Sequence, residues 1–278
     1  MKQVRAKDLE PQREHGTSVL LREDRGQVAL LTLNRPETRN CLSEDMIAAL
    51  HAAIAEIGGS DAVRAIVITG AGSAFSSGHD LKEMTAHRSD PDRGRAYFAK
   101  IMKACSEMML AIVRSPKPVI AAVNGIATAA GCQLVASCDL AVASQDARFA
   151  TPGVNIGLFC STPMVAVSRA IGRKRALQLL LTGEVIDAAT AADWGLVNEV
   201  VAPGEVDARA LALAATIADA SPLTLRIGKQ AFYRQIDLPQ EQAYAEMREI
   251  MATNAVTCDA QEGMQAFLDK RAPVWEGR

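Results

Sequence analysis

The chain has 278 residues, carries 30 Lys and Arg against 32 Asp and Glu, and is 49% hydrophobic but only 4% aromatic. That balance offers no basic face for nucleic acid or an anionic bilayer, so partners of either kind are not expected, and the length suffices for one large domain with a full core. The packing of that core must be aliphatic.

Residues 1–16, MKQVRAKDLEPQREHG, mix acids with bases and contain no apolar run, so they read as a polar arm rather than a signal or transit peptide. Residues 18–22 and 27–33 read as two strands around the turn Asp24-Arg25-Gly26. Ser43 is placed to cap a helix with Glu44 and Asp45 in its first turn. Met46, Ile47, Leu50, Ile54 and Ile57 recur there at helical spacing, and Gly58-Gly59 ends it. The run RAIVIT at residues 64–69 reads as a buried strand ending in a glycine turn. The following stretch, GAGSAFSSGHDLKEM from Gly70 to Met84, reads as a loop whose small residues let a ligand approach the backbone. Residues 87–94 are charged and turn-rich, a mobile surface segment by composition, and residues 97–113 form a helical pattern.

Residues 117–158 are the stretch around which the chain is organised. A strand at 118–123 breaks at Asn124-Gly125, and a small-residue helix occupies 129–137. The free N–H groups of that helix start, with the helix dipole behind them, would stabilise a developing oxyanion such as a thioester enolate. Residues 118–138 carry no charge, which raises the possibility of a membrane span. Asn124, Gly125, Thr128, Gly131, Gln133 and Ser137 argue against one, because polar groups and breakers are costly in lipid. Strands at 140–143 and 148–150 follow, then helices at 162–171, 175–181 and 187–194. Beyond Pro203 the pattern is wholly helical, at 206–220, 223–233, 241–253 and 259–270.

The six cysteines, Cys41, Cys105, Cys132, Cys138, Cys160 and Cys258, form no CxxC pair and no metal-ligand spacing with the histidines. Most sit in apolar runs and read as free thiols of a reducing compartment, the cytoplasm, with no metal site.

Taken together, AFSSGHDLKEM and NGIATAAGCQL resemble the two signature segments of the enoyl-CoA hydratase/isomerase (crotonase) superfamily. The likeness continues through Leu31-Thr-Leu-Asn-Arg-Pro36 with Asn40, Pro116-Lys-Pro118, Cys138-Asp139, Leu181-Thr-Gly183, Trp194-Gly-Leu-Val197 and the closing EGMQAFLDKR. The resemblance implies an α/β fold in which ββα turns stack into a superhelix over residues 17–202. Residues 203–278 would then be a helical layer that joins subunits into trimers or dimers of trimers. It also implies an acyl-CoA ligand, with coenzyme A entering as part of the substrate and no separate cofactor, in lyase-type chemistry of fatty acid metabolism.

By position, the resemblance puts the oxyanion donors on the backbone N–H groups of His79 and Ala130. Ser77, Asp80, Leu81 and Lys82 would line the adenine and ribose side of coenzyme A, and Arg39 would meet a phosphate. Phe267 and Lys270 would reach a neighbouring subunit's nucleotide. By residue type alone, Arg39, Lys82 and Lys270 are equally solvated surface charges.

The departures are as informative. Hydratases of the family carry two glutamates that handle the water and its protons, and here those positions hold Gln133 and Gly153. An amide orients water but does not titrate, and glycine does neither. Glu83, His87, Asp146 and Glu184 are substitute bases by type, with no spacing that selects one. Thr151, Asn155, Cys160 and Ser161 are polar candidates for the pocket. A second branch, decarboxylases of methylmalonyl-CoA type, resembles the chain in Gly78-His79-Asp80 and in the segment from Thr151 to Asn155. Decarboxylation needs the oxyanion hole and no carboxylate pair, and there His79 would hydrogen-bond the departing carboxylate. A non-catalytic acyl-CoA binder is the third reading.

Overall fold

The computed structural model describes residues 18–278. The polar arm expected over residues 1–16 lies outside the described residues.

β1 (Leu20–Arg25) and β2 (Val28–Leu33) form an antiparallel hairpin, with Leu20 opposite Leu33. α1 (Glu44–Gly58) is capped as the sequence predicts: the Ser43 Oγ accepts the Met46 N–H at 3.2 Å. β3 (Ala65–Gly70) turns back into the short β4 (Ala74–Ser76), followed by α2 (Leu81–Ala86) and the long α3 (Arg95–Arg114). The same sequence of events recurs twice. β5 (Val119–Val123) leads to β6 (Ile126–Thr128) and α4 (Ala130–Ser137). β7 (Leu140–Ser144) leads to β8 (Arg148–Ala150), then α5 (Ser161–Ala170) and α6 (Arg173–Thr182). Three turns of the chain therefore each contribute one strand to each of two sheets. β9 (Ile186–Asp187), α7 (Ala188–Trp194) and β10 (Glu199–Val201) close the sheets.

The larger sheet runs β1-β2-β3-β5-β7-β10 and is parallel from β2 onward; the smaller runs β4-β6-β8-β9. The long uncharged strand runs are explained by burial on both faces. In β2, Ala29, Leu31 and Leu33 face one apolar cluster while Val28 and Leu30 face another. In β5, Val119, Ala121 and Val123 alternate with Ile120 and Ala122 in the same way. The first face is covered by α1 and α3. The second is covered by α8 (Val206–Ala218), whose Val206, Ala210, Ala214 and Ala218 pack directly on the strands.

α9 (Pro222–Gln235), α10 (Gln240–Ala255) and α11 (Cys258–Asp269) complete the chain. α9 is locked to the sheet by a buried ion pair. Lys229 Nζ lies 2.7 Å from Asp139 Oδ2 and also donates to the carbonyls of Ile112 and Lys117, while Tyr233 donates to Asp139 Oδ1 at 2.9 Å. Among the described residues no single helix is long and apolar enough to cross a membrane.

The structure differs from the sequence-based expectation mainly in short elements. The stretch from Gly70 to Met84, read as a loop, contains β4 and α2, and β6, β9 and β10 were not anticipated. Strands of two or three residues carry no detectable period, and pairing with neighbours distant in sequence creates them. The segment 87–94, read as mobile, begins with a 3-10 turn over His87–Ser89 whose His87 ring stacks on Tyr97 at 3.8 Å.

Candidate active site

The candidate site forms where β4, β6 and β8 end side by side. Ser76 lies beside Ala127, Thr128 lies beside Ala150, and the Ala129 N–H donates to the Ala150 carbonyl at 2.9 Å. The residues leaving those strand ends, Ser77 to His79, Ala129-Ala130 and Thr151 to Gly153, are thereby neighbours. The carboxyl ends of parallel strands are where open α/β sheets bind ligands.

Missing side chains allow the turns to approach so closely. A Cβ on Gly131 would sit 2.2 Å from the Ser76 carbonyl oxygen, and one on Gly78 would sit 3.0 Å from the Ala130 nitrogen. Gly78 has φ +86°, so a side chain would be strained as well. Ala129 has φ 51° and ψ −117°, a conformation that costs a non-glycine residue roughly 1–3 kcal/mol. The strain falls on the residue just before the second expected donor.

The orientation of both donors follows from peptide planarity, which points a carbonyl and the next N–H in opposite directions. The Gly78 carbonyl accepts the Leu42 N–H at 2.7 Å, so the His79 N–H faces away from Leu42. The Ala129 carbonyl accepts the Gln133 N–H at 3.0 Å inside α4, so the Ala130 N–H points out of the helix start. Among the described residues neither N–H has an acceptor. A free amide can hold a carbonyl oxygen and favour its anionic form, the more so at the positive end of a helix.

The side chains around them are neutral. His79 is mostly buried, its Nε2 has no partner, and burial pushes its pKa down to about 4. Its ring is therefore not satisfied by local backbone at that nitrogen. Gln133 shares a face of α4 with Ala130, is 4% exposed, and its Oε1 also has no partner. At Gly153 a Cβ would lie 2.5 Å from the Leu158 carbonyl oxygen and 2.9 Å from Cys160 Sγ, so the chain's own loop fills the space a side chain would need.

Of the other polar candidates, Thr151 is engaged, donating to the Leu179 carbonyl at 3.0 Å, and Asn155 packs against Gly183. Ser161 is exposed, and only Cys160 faces Gly153. Among the substitute bases, Asp146 and Glu184 are on the surface, and Glu83 Oε2 accepts the Glu44 N–H at 3.0 Å. His87 Nδ1 pairs with Asp90 at 2.8 Å. None is joined by a hydrogen bond to the paired amides.

Ser77, Asp80, Leu81 and Lys82 follow directly from the first turn. Asp80 caps α2 by accepting the Lys82 N–H at 2.8 Å, while Leu81 and Lys82 are exposed. Arg39 joins the site through its backbone, since its carbonyl accepts the Ser77 N–H at 3.0 Å, and its side chain is exposed. Phe267, 83% exposed, and Lys270 lie on or beyond α11, which packs on α9 and α10 and not on the site. Two cavities lie elsewhere, one at Cys258, Asp259 and Arg271, the other at Ile227, Ala231 and Ile250. The sequence reading missed Asn40 as a structural hub, and the only signal for it was its place in the resemblance.

The fold and site define an α/β superhelix whose strand ends bring two free backbone N–H groups, those of His79 and Ala130, to one side of the smaller sheet. The model of the family described as enoyl-CoA hydratase/isomerase matches residues 23–278, and the chain belongs to that family. The chain is 46% identical over 245 residues to human "Enoyl-CoA hydratase domain-containing protein 3, mitochondrial", covering 88% of this chain and 79% of that protein. It is 34% identical over 258 residues to the Dictyostelium discoideum "Probable enoyl-CoA hydratase, mitochondrial", covering 92% and 90%. Among solved structures, an enoyl-CoA hydratase of Mycobacterium smegmatis is 51% identical with a TM-score of 0.88, covering 92% of this chain and 98% of that one. The structure of the human domain-containing protein 3 is 45% identical with a TM-score of 0.88, covering 92% and 100%.

Proposed function

We propose that the protein binds an acyl-CoA thioester and polarises its carbonyl between the N–H groups of His79 and Ala130, stabilising an enolate in chemistry of the hydratase/isomerase type. The observation that carries this reading is the pair of peptides whose carbonyls are engaged on the far side while their N–H groups are free. Ser77, Asp80, Leu81 and Lys82 are the proposed adenine and ribose contacts, and Arg39 a proposed phosphate contact. Coenzyme A arrives as part of the substrate.

The acid/base half of the reaction is altered in this proposal. Gln133 is the one polar side chain on α4 beside the donors, and it orients water or substrate without taking a proton. Crowding at Gly153 supports slow hydration at best. A hydratase assay on crotonyl-CoA tests this: turnover above background that falls in Gln133→Ala supports hydratase-type chemistry. Tight thioester binding without turnover on any substrate supports a non-catalytic binder.

A second reading, a decarboxylase of methylmalonyl-CoA type, is favoured by the buried, neutral and unpartnered His79 Nε2. A neutral imidazole can donate one hydrogen bond to a carboxylate without holding it so strongly that carbon dioxide cannot leave. Release of carbon dioxide that survives Gln133→Ala and falls in His79→Ala identifies that activity.

The assembly is proposed as a trimer or a dimer of trimers. Exposed Phe232, Ile236, Tyr244, Met251, Phe267 and Leu268 on the C-terminal helices support a subunit contact, and there Phe267 and Lys270 would meet a neighbour's nucleotide. Sedimentation tests the mass. Free thiols at all six cysteines support a reducing compartment, proposed as the cytoplasm, although several relatives carry "mitochondrial" in their names.

A further inference from the structure

We infer that Asn40 is a positioning residue for the oxyanion site: its side chain fixes the start of β4, its main-chain carbonyl fixes the end, and together they hold the turn that aims the His79 N–H. The inference rests on the reading of His79 and Ala130 as thioester donors and adds a residue outside that pair.

Asn40 is completely buried and every polar group it has is engaged. Its N–H donates to the Arg35 carbonyl at 2.8 Å, and its Oδ1 accepts the Arg35 N–H at 2.8 Å. Its Nδ2 donates to the carbonyls of Ala71 at 2.9 Å and Ala74 at 2.7 Å, which sets the start of β4. Its own carbonyl accepts the Ser76 Oγ at 2.8 Å, at the end of β4. Ser76 Oγ in turn accepts the Gly78 N–H at 3.3 Å.

Gly78 is thus held on both sides, its N–H by the hydroxyl that Asn40 orients and its carbonyl by the Leu42 N–H at 2.7 Å. The peptide that carries the His79 N–H cannot rotate while both bonds stand. Neighbours of Asn40 reinforce the grip: the Arg39 and Thr38 carbonyls take the Ser77 N–H and hydroxyl, and Cys41 Sγ meets Asp80 Oδ2 at 3.3 Å. Arg39 and Asn40 both have left-handed φ, 54° and 51°, which points the carbonyls of Thr38, Arg39 and Asn40 toward residues 76–77. Asparagine tolerates that conformation better than most residues, and its amide supplies the two donors β4 needs.

The test is the absorption of bound 2,4-hexadienoyl-CoA, which moves to longer wavelength as its carbonyl is polarised. Measured at saturation, the shift reports donor geometry and not affinity. The wild type is expected to show the shift. Asn40→Gly keeps the left-handed backbone but deletes the side chain, and is expected to lose roughly half the shift or more while affinity, carried largely by coenzyme A contacts, changes less than about tenfold. Asn40→Asp keeps the Arg35 contact, loses both donors to β4, and is expected to behave as Asn40→Gly. Ser76→Ala, a small change that folds even if the Asn40 variants do not, removes the link to Gly78 and is expected to lose the shift in part. Lys229→Met, which weakens the fold far from the site, is expected to keep it in full. Folded Asn40→Gly or Ser76→Ala with an undiminished shift overturns the role assigned to Asn40. A wild type that binds the ligand without any shift overturns the thioester reading, and this proposal with it.

Discussion

Replacing Gly153 is expected to damage the fold before it can restore any chemistry. A Cβ there would lie 2.5 Å from the Leu158 carbonyl oxygen and 2.9 Å from Cys160 Sγ, both inside van der Waals contact. The thiol could rotate away, but the carbonyl could not. The Leu158 N–H donates to the Gly153 carbonyl at 2.9 Å, which closes the turn over Pro152–Ile156, and retreat of Leu158 breaks that bond. Overpacking of this kind costs about 1–3 kcal/mol, and a lost hydrogen bond adds about 1. Gly153→Ala is therefore expected to lower stability by about 2–4 kcal/mol, read from urea midpoints. Adding Cys160→Ala should recover only a part, because the nearer contact remains. For the same reason Gly153→Glu added to Gln133→Glu should give no more crotonyl-CoA hydration than Gln133→Glu alone. A stability within about 0.5 kcal/mol of wild type for Gly153→Ala, or a hydratase gain specific to the carboxylate added at position 153, refutes the reasoning.

Lys229→Met leaves Asp139 buried without its cation and should cost about 3–5 kcal/mol in urea unfolding, with Asp139→Asn added on top recovering part of it. Burial lowers the His79 imidazole from 6.5 to about 4, so the unfolded chain takes up that proton first as pH falls. Stability from the neutral ring is then complete above pH 6.5 and lost between 6.5 and 4, a total of about 3 kcal/mol, and His79→Asn should flatten that part of the profile. Gly78→Ala forces a φ of +86° on a residue with a side chain and puts its Cβ 3.0 Å from the Ala130 nitrogen. It should cost about 1–2 kcal/mol from conformation alone and abolish the dienoyl-CoA shift.

Much of this fold was legible where a local rule acts alone. The Ser43 cap, the doubly buried runs of β2, β3 and β5 and the break at Asn124-Gly125 each follow from a few adjacent residues. The strands β4 and β6 were not legible, because three residues have no period and Ile126 pairs with Ala74 across 52 positions. The site divides in the same way. His79 and Ala130 were singled out by motif, since both sit at glycine-bearing turns, and what the structure adds is that the carbonyl preceding each N–H is engaged elsewhere. The crowding at Gly153 could not be, because the atoms that fill it belong to Leu158 and Cys160, and no sequence rule says that the turn folds back over its own start. Asn40 was visible only as a letter in a motif. Its four partners, Arg35, Ala71, Ala74 and Ser76, are assembled by tertiary structure.

The division between main chain and side chain also explains how positions 133 and 153, where the family resemblance leads one to expect glutamates, can hold other residues without dismantling the frame. The two N–H groups proposed as oxyanion donors belong to the main chain, and each is aimed by the partner of the adjacent carbonyl, Leu42 for one and Gln133's own backbone N–H for the other. Gln133 therefore serves the frame through its backbone whatever its side chain is, and an amide in place of a carboxylate leaves the Ala129 carbonyl held as before. Glycines 78 and 131 behave oppositely: there the side chain is what must be absent, because β4 and α4 meet through backbone atoms. Strain at Arg39, Asn40 and Ala129, of the order of 1–3 kcal/mol each, is offset by the bonds that hold residues 76–80 to residues 38–42 and to Thr128. The frame around the two free N–H groups is thus fixed by glycine spacing and by Asn40; in the proposed function it would grip a thioester oxygen, and what stands at 133 and 153 would set the proton chemistry separately.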